Sequence, residues 1–283
     1  MTNPYRVVVL TVLAMLAFAG NSLLCRIALR DTAIDAASFT AIRIASGALI
    51  LIAILTARRV RPTAGGSWPM AAMLFAYAGF FSFAYRDLTA ATGALLLFGS
   101  VQLSMLGWAF ATGEKLRALQ VGGLAIALGG LVYLLMPGLA APPLFAAALM
   151  IGAGIAWAVY SVLGRRAGEP IASTGGNFIR AVAFAAVMAV AASTNHATLD
   201  KMGVLYAVLS GALTSGLGYV LWYAALPALT TASAAIIQLS VPAIATVGGA
   251  LLLGETIGVR VLVASTAILG GIALTIVKKT KAA

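Results

Sequence analysis

Ten apolar stretches of about 20 residues, separated by short charged or Pro/Gly-bearing breaks, leave this chain little choice of solvent, because about 20 apolar residues is the length a helix needs to cross a bilayer. They run approximately over Val7–Ile27, Ala37–Ala57, Trp68–Tyr85, Ala90–Thr112, Leu116–Met136, Pro143–Leu163, Ile171–Ala192, Met202–Leu226, Thr230–Leu253 and Gly258–Val277. None alternates with period two, which is how strands of a membrane barrel read, so helices are expected throughout. Composition agrees: 62% of the 283 residues are hydrophobic and 9% charged, against about 25% charged in a soluble domain. The first run continues past the small residues Ala17-Phe18-Ala19, so it is read as a retained span and not as a cleaved leader. The expected fold is an all-α integral membrane protein, and the expected partners are the lipid bilayer and a small-molecule substrate.

The basic excess sorts across these spans. With ten spans both termini share a side, which collects eleven basic residues, Arg6, Arg58, Arg59, Arg61, Lys115, Arg117, Arg165, Arg166, Lys278, Lys279 and Lys281, against Glu114 and Glu169. The other side holds Arg26, Arg30, Arg86, Lys201 and Arg260, balanced by five acids, Asp31, Asp35, Asp87, Asp200 and Glu255. The positive-inside rule therefore places both termini in the cytoplasm. On this reading the net charge of +11 reflects orientation in the membrane, and no nucleic-acid partner is expected. One cysteine, Cys25, and one histidine, His196, leave neither a disulfide framework nor a His-rich metal site, and no cofactor is expected.

The chain also repeats itself. Shifted by 141 positions, Leu88–Met136 lies on Leu229–Val277, with Leu88-Thr89 on Leu229-Thr230, Gly113-Glu114 on Gly254-Glu255 and Gly129-Gly130 on Gly270-Gly271. Earlier segments match at shorter offsets: Phe18 through Arg26 lies on Trp157 through Arg165, and Arg43 on Arg180. Five spans per unit is an odd number, so the second unit enters the membrane from the opposite side. The expectation is two inverted five-helix repeats, residues 1–141 and 142–283, with a solute path between them.

These residues carry a family resemblance. Phe18-Ala19-Gly20-Asn21 through Arg26 resembles the Trp-Gly-x-Asn…Lys pattern of the drug/metabolite transporter superfamily, with Phe in place of Trp. Trp157-Ala158-Val159-Tyr160-Ser161 through Arg165-Arg166 resembles its counterpart in the second half. The arginine in the second span of each half and the closing Pro242…Gly254-Glu255 also fit, whereas the first half has Val101 where the second has Pro242. The chain is identified as similar to the ten-helix EamA-type exporters of that superfamily. The resemblance implies a transporter moving small metabolites, often amino acids, outward across a bacterial inner membrane. It does not imply a particular substrate.

Polar groups in hydrocarbon are costly, so those inside spans are the candidates for handling a solute. Asn21, Ser22 and Phe18 share a helical face, as do Trp157, Tyr160 and Ser161, and under the repeat the two faces oppose each other. Asn21, Trp157, Tyr160 and Ser161 are therefore placed in a cavity wall, joined by Tyr77, Gln102, Trp222 and Gln238. The amides can both donate and accept, which suits a zwitterion or a hydroxylated solute, although they can equally join helices. Pro242 should free the backbone carbonyl of Gln238. Arg43 and Arg180 could each meet a substrate carboxylate. Their occurrence in both halves favours a structural role instead, near a helix end with backbone carbonyls as partners. Glu114 and Glu255 read as carboxylates at the start of the fifth and tenth spans, with proton coupling through Glu255 as the rival role. Gly122-Gly123, Gly129-Gly130 and Gly270-Gly271 read as close-packing sites, or as a dimer contact, leaving monomer and homodimer both open.

No Asp or Glu lies in the core of a span, which argues against the alternative of a multidrug organic-cation exporter with a membrane carboxylate. A membrane-embedded enzyme lacks a nucleophile–base pair, metal cluster or phosphate loop to build on. A passive pore would differ by being unable to move a solute against its gradient. The charge sorting gives a direct test of orientation. A reporter that matures only in the cytoplasm should be active when fused after Ala283 and silent when inserted at 198–200.

Overall fold

The computed structural model describes residues 4–113, 118–138, 141–164, 169–193, 198–229 and 237–276. Among them every regular element is a helix. In order these are α1 (Pro4–Asp31), α2 (Ala36–Ala57), α3 (Trp68–Tyr85), α4 (Ala90–Ala111), α5 (Ala118–Leu135), α6 (Leu144–Gly164), α7 (Pro170–Ser193), α8 (Lys201–Ala228), α9 (Ser240–Leu253) and α10 (Val259–Ile276). Asp35, Ser67, Thr89 and Asp200 stand just ahead of α2, α3, α4 and α8, and their side chains accept from the first free amides of those helices.

Seven helices, α1, α2 and α4 through α8, are long and apolar enough to cross a membrane. Three of the ten expected spans fall short as described. α3 carries Trp68, Pro69, Tyr77 and Tyr85, which lower its hydropathy, while α9 and α10 adjoin residues 230–236 and 277–283, outside the described part. The first span is longer than its apolar run, so that Arg30 as well as Arg26 lies within α1. Glu114, Arg165, Arg166 and His196 are outside the described residues.

Two helices depart from regular α geometry, both around the core. α8 widens into a π-helix over Ser210–Leu217 and tightens to a 3-10 turn at Leu226–Ala228. Gly211 lets this wide segment lie on α2, since a Cβ there would strike the Arg43 carbonyl and the Ser46 hydroxyl. Ahead of α9, the helical pair Ile237-Gln238 is followed by a turn at Leu239, three residues before Pro242. The ring cannot coexist with a continuous ladder through that point. α4, with Val101 at the matching place, runs unbroken.

Packing pairs the two halves. α5 lies on α10, α2 on α7 and α4 on α9, while α6 packs against α3 and α4, and α1 against α8 and α9. The glycine doublets divide their labour. A Cβ on Gly123 would meet the Gly271 carbonyl and one on Gly130 would meet Ala267 and Ile268, whereas Gly122, Gly129 and Gly270 face open space. Only one member of each doublet thus serves the α5–α10 contact. Gly123→Leu should lower stability by about 1–3 kcal/mol through overpacking, and Gly122→Leu should leave it nearly unchanged. Thermal melts of the detergent-solubilised variants check this.

Candidate functional site

A cavity of about 710 Å³ lies between α1, α3, α4, α6, α7 and α8. It reaches from mid-helix residues such as Asn21 and Phe81 to the ends joined by the α2–α3, α6–α7 and α8–α9 connections, where Met70, Gly164, Pro170 and Leu229 line it. All eight residues expected in its wall are there: Asn21, Tyr77, Gln102, Trp157, Tyr160, Ser161, Trp222 and Gln238. Among the described residues no Asp, Glu, Lys or Arg lines it.

Aromatic rings form one continuous surface. Trp157 stacks on Tyr160, with centroids 5.3 Å apart and planes at 22°, and lies 4.9 Å from Tyr77 and 5.3 Å from Tyr219. Phe18 meets Tyr219 and Trp222 edge-on at 5.9 and 6.1 Å. Edge-on and offset contacts of this kind suit the ring quadrupoles and hold each ring in one orientation.

The polar end is built by α1, α2, α3 and the π segment of α8. Ser210 and Thr214 donate to Asn21 Oδ1 at 2.7 and 3.4 Å, and Asn21 Nδ2 donates to the Tyr77 hydroxyl at 3.3 Å. Arg43 lies behind this wall with 2% of its surface exposed. Its Nε donates to Ser215 Oγ and its Nη2 to the Tyr77 hydroxyl, both at 3.3 Å, and its guanidinium sits 5.3 and 4.9 Å from the Tyr77 and Phe81 ring centroids. The expected partnership with backbone carbonyls does not hold for Arg43, because the π segment puts a serine hydroxyl where a helix end would have offered carbonyls. It does hold for Arg180, whose Nη1 donates to the carbonyls of Gly65 and Gly176 at 2.9 Å. The two arginines match in sequence but not in surroundings.

Arg180 belongs to a lacing of the α2–α3 connection onto α7. Asn177 Oδ1 accepts from the Ser67 amide at 2.8 Å, and its Nδ2 donates to the Tyr160 hydroxyl at 3.2 Å. Gly66, at φ +80°, provides the left-handed turn that fits the connection against Asn177. Asn177 therefore fixes a cavity ring from behind. The Ser161 hydroxyl is spent on its own helix, donating to the Trp157 carbonyl at 2.7 Å, so toward the cavity it offers an acceptor.

Glu255 is at the other end of the molecule and serves a different helix from the expected one. Its Oε2 accepts from the Ala90 amide at 2.8 Å, at the start of α4, and its Oε1 accepts from Arg26 Nε at 3.0 Å. Gly254, at φ +62°, turns the chain so that Glu255 points back under α9 instead of into α10. Arg26 Nη1 donates to the carbonyls of Tyr85 and Arg86 at the end of α3, and Arg30 Nη1 to that of Leu253 at the end of α9. The ion pair and Arg30 together thus close three helix ends onto α1.

Sequence reasoning did not single out Ser210, Thr214 and Ser215. Their signal was the run of small and hydroxyl residues from Ser210 to Gly218 inside an apolar span, which reads at first as a packing stripe.

A profile of the EamA-like transporter family matches residues 144–277. The threonine/homoserine exporter RhtA of Salmonella typhimurium is 32% identical over 238 residues, covering 81% of this chain and 78% of that one. The chain belongs to the EamA-like transporter family. It is thereby a membrane transporter of the drug/metabolite transporter superfamily. The exporter of the same name from Escherichia coli is 30% identical over 285 residues, 97% of this chain and 93% of its own. An uncharacterized protein of Pseudomonas aeruginosa is 56% identical over 270 residues, covering 95% and 94%. A solved crystal structure shares the fold, with a TM-score of 0.66 at 21% identity over 95% of this chain and 96% of that one.

Removing one partner of the sheltered Arg26–Glu255 pair leaves a charge and a helix end unsatisfied. Glu255→Ala should cost about 3 kcal/mol, and Arg26→Met with Glu255→Leu together less than the sum of the two single changes. A double-mutant cycle on unfolding midpoints measures the coupling.

Proposed function

We propose that this protein exports small neutral, zwitterionic or anionic metabolites, amino acids first among them, by alternating access between two inverted five-helix repeats, residues 1–141 and 142–283. The observation that carries the reading is the cavity itself. It is sized for a small solute, walled by aromatic rings and amides from both halves, and contains no carboxylate among its described lining residues. An organic-cation antiporter would need such a carboxylate to exchange proton for cargo. The relatives named as threonine/homoserine exporters support amino acids as the cargo class.

The pairing of helices supports the inverted repeat. Exchanging α1–α5 with α6–α10 carries the α3–α6 contact onto α8–α1 and α4–α6 onto α9–α1, and returns α2–α7, α4–α9 and α5–α10 to themselves. With both termini cytoplasmic in an inner membrane, the cavity reaches toward the cytoplasm and the Arg26–Glu255 closure lies on the outer side. That is the state in which an exporter loads. Opening outward then requires α1 to release the ends of α3, α4 and α9, so Glu255 is proposed as the carboxylate whose protonation or exchange of partners accompanies the transition.

Proteoliposomes loaded with L-threonine or L-homoserine should release it against a gradient or in exchange for external amino acid. Trp157→Ala should slow this by about tenfold, the equivalent of one good contact, with folding retained. Transport of organic cations with none of amino acids would overturn the cargo assignment. Movement only down a gradient, without counterflow, would make the protein a pore.

A further inference from the structure

A buried guanidinium ordinarily has a carboxylate beside it, because an unpaired charge in a low-dielectric interior is expensive. Arg43 has none. Among the described residues the ion pairs are Arg26 with Glu255 and Arg30 with Asp31, both at the far ends of helices. Two of its nitrogens have hydroxyl partners, Ser215 and Tyr77, and the third, Nη1, has no partner although it is buried. Both hydroxyl partners line the cavity. The positive charge is therefore one side chain away from the solute space and is not neutralised.

Tyr77 shows what the arrangement lacks. A phenolic hydroxyl has one proton to give and two lone pairs to receive with. Here it receives twice, from Asn21 Nδ2 and from Arg43 Nη2. Its acceptor capacity is filled and its own proton remains to be donated, from a residue that faces the cavity. Ser215, which accepts from Arg43 Nε, keeps its proton in the same way. Two hydroxyl donors, polarised by one guanidinium and fed by no acceptor, make an anion-binding end.

We propose that Arg43, acting through Tyr77 and Ser215, is the element that reads the carboxylate of the transported solute. The inference rests on the transport reading above and narrows it from small metabolites to small carboxylates. A single guanidinium matches a monoanion better than a phosphoryl dianion. The ammonium of a zwitterion needs no acid here, because a cavity lined by aromatic rings, Trp157 and Trp222 among them, can receive it. Arg180 does not share this arrangement, since the carbonyls its Nη1 meets, those of Gly65 and Gly176, do not line the cavity.

The test compares each acid with its own carboxamide, which keeps size and shape and removes the anion. Dissociation constants for L-threonine and threoninamide, and for lactate and lactamide, are measured on the purified protein, together with transport of the same compounds in proteoliposomes. The wild-type protein should bind the acid of at least one pair about tenfold more tightly than the amide. Tyr77→Phe, which keeps the ring and removes the hydroxyl, should lower that ratio severalfold in a protein that still folds, with some loss of melting temperature because Asn21 and Arg43 lose an acceptor. Arg43→Lys should reduce it while retaining some preference, because charge survives and the fork does not.

Equal binding of acid and amide by the wild-type protein overturns the proposal, as does an unaltered ratio in a folded Tyr77→Phe. Amino-acid transport without acid preference would sink the carboxylate reading and leave the export function standing. Preference for lactate with no binding of threonine would do the reverse, keeping the anion site and removing amino acids as cargo. Loss of stability in Tyr77→Phe with the ratio intact would assign Arg43 and Tyr77 to scaffold alone.

Discussion

Hydrocarbon supplies no water to an unsatisfied polar group, and most of this architecture follows from that shortage. Each helix that ends within or near the membrane must find partners for its last carbonyls or first amides inside the protein. The Arg26–Glu255 pair meets that need for two ends, the carbonyls of Tyr85 and Arg86 and the amide of Ala90, and neighbouring Arg30 meets it for a third, the carbonyl of Leu253. The same pressure explains why Ser82, Thr40, Thr174 and Ser161 donate to carbonyls four residues earlier on their own helices. Against that background Arg43 stands out, since its satisfaction is incomplete at the place where a solute would arrive.

The cavity is the complement of this economy. Its apolar wall is made of rings that hold one another, and its polar wall of groups already engaged from behind. Asn177 holds Tyr160, and Ser210 and Thr214 hold Asn21. What remains available to a ligand is therefore narrow and oriented: ring faces on one side and hydroxyl protons on the other. A site prepared in this way discriminates by what it leaves unmet as much as by what it offers.

Much of this could be read from the sequence, and the boundary between legible and illegible is a physical one. Helical periodicity put Asn21 beside Phe18 and Trp157 beside Tyr160 and Ser161, and those faces do meet in one cavity, because spacing along a single helix determines a shared face. The internal match in sequence misled on the arginines. It carried Arg43 onto Arg180 and so predicted like partners, whereas the partners come from α3 and α8 in one case and from the α2–α3 connection in the other. Glu255 was assigned to the helix that follows it in the chain, and it caps one 165 positions earlier. Each miss is a contact between segments far apart in sequence, which local pattern cannot determine. The π segment was missed for another reason: Ser210–Leu217 has the composition of a packing stripe, and only its ladder of hydrogen bonds distinguishes it.

That segment has a bearing on how the halves correspond. A π ladder bonds each amide one residue further back than an α ladder, so it stores an extra residue without turning the flanking helix. From Arg180 to Leu229 the chain takes 49 steps, and from Arg43 to Leu88 it takes 45. The widened turn of α8 lies on the longer of these two paths. α8 thus carries a local loosening of pitch where it faces α1 and α2, and the hydroxyls of Ser210, Thr214 and Ser215 lie in it. One wide turn thereby supplies three of the hydroxyls that meet Asn21 and Arg43, with Tyr77 of α3 supplying the fourth.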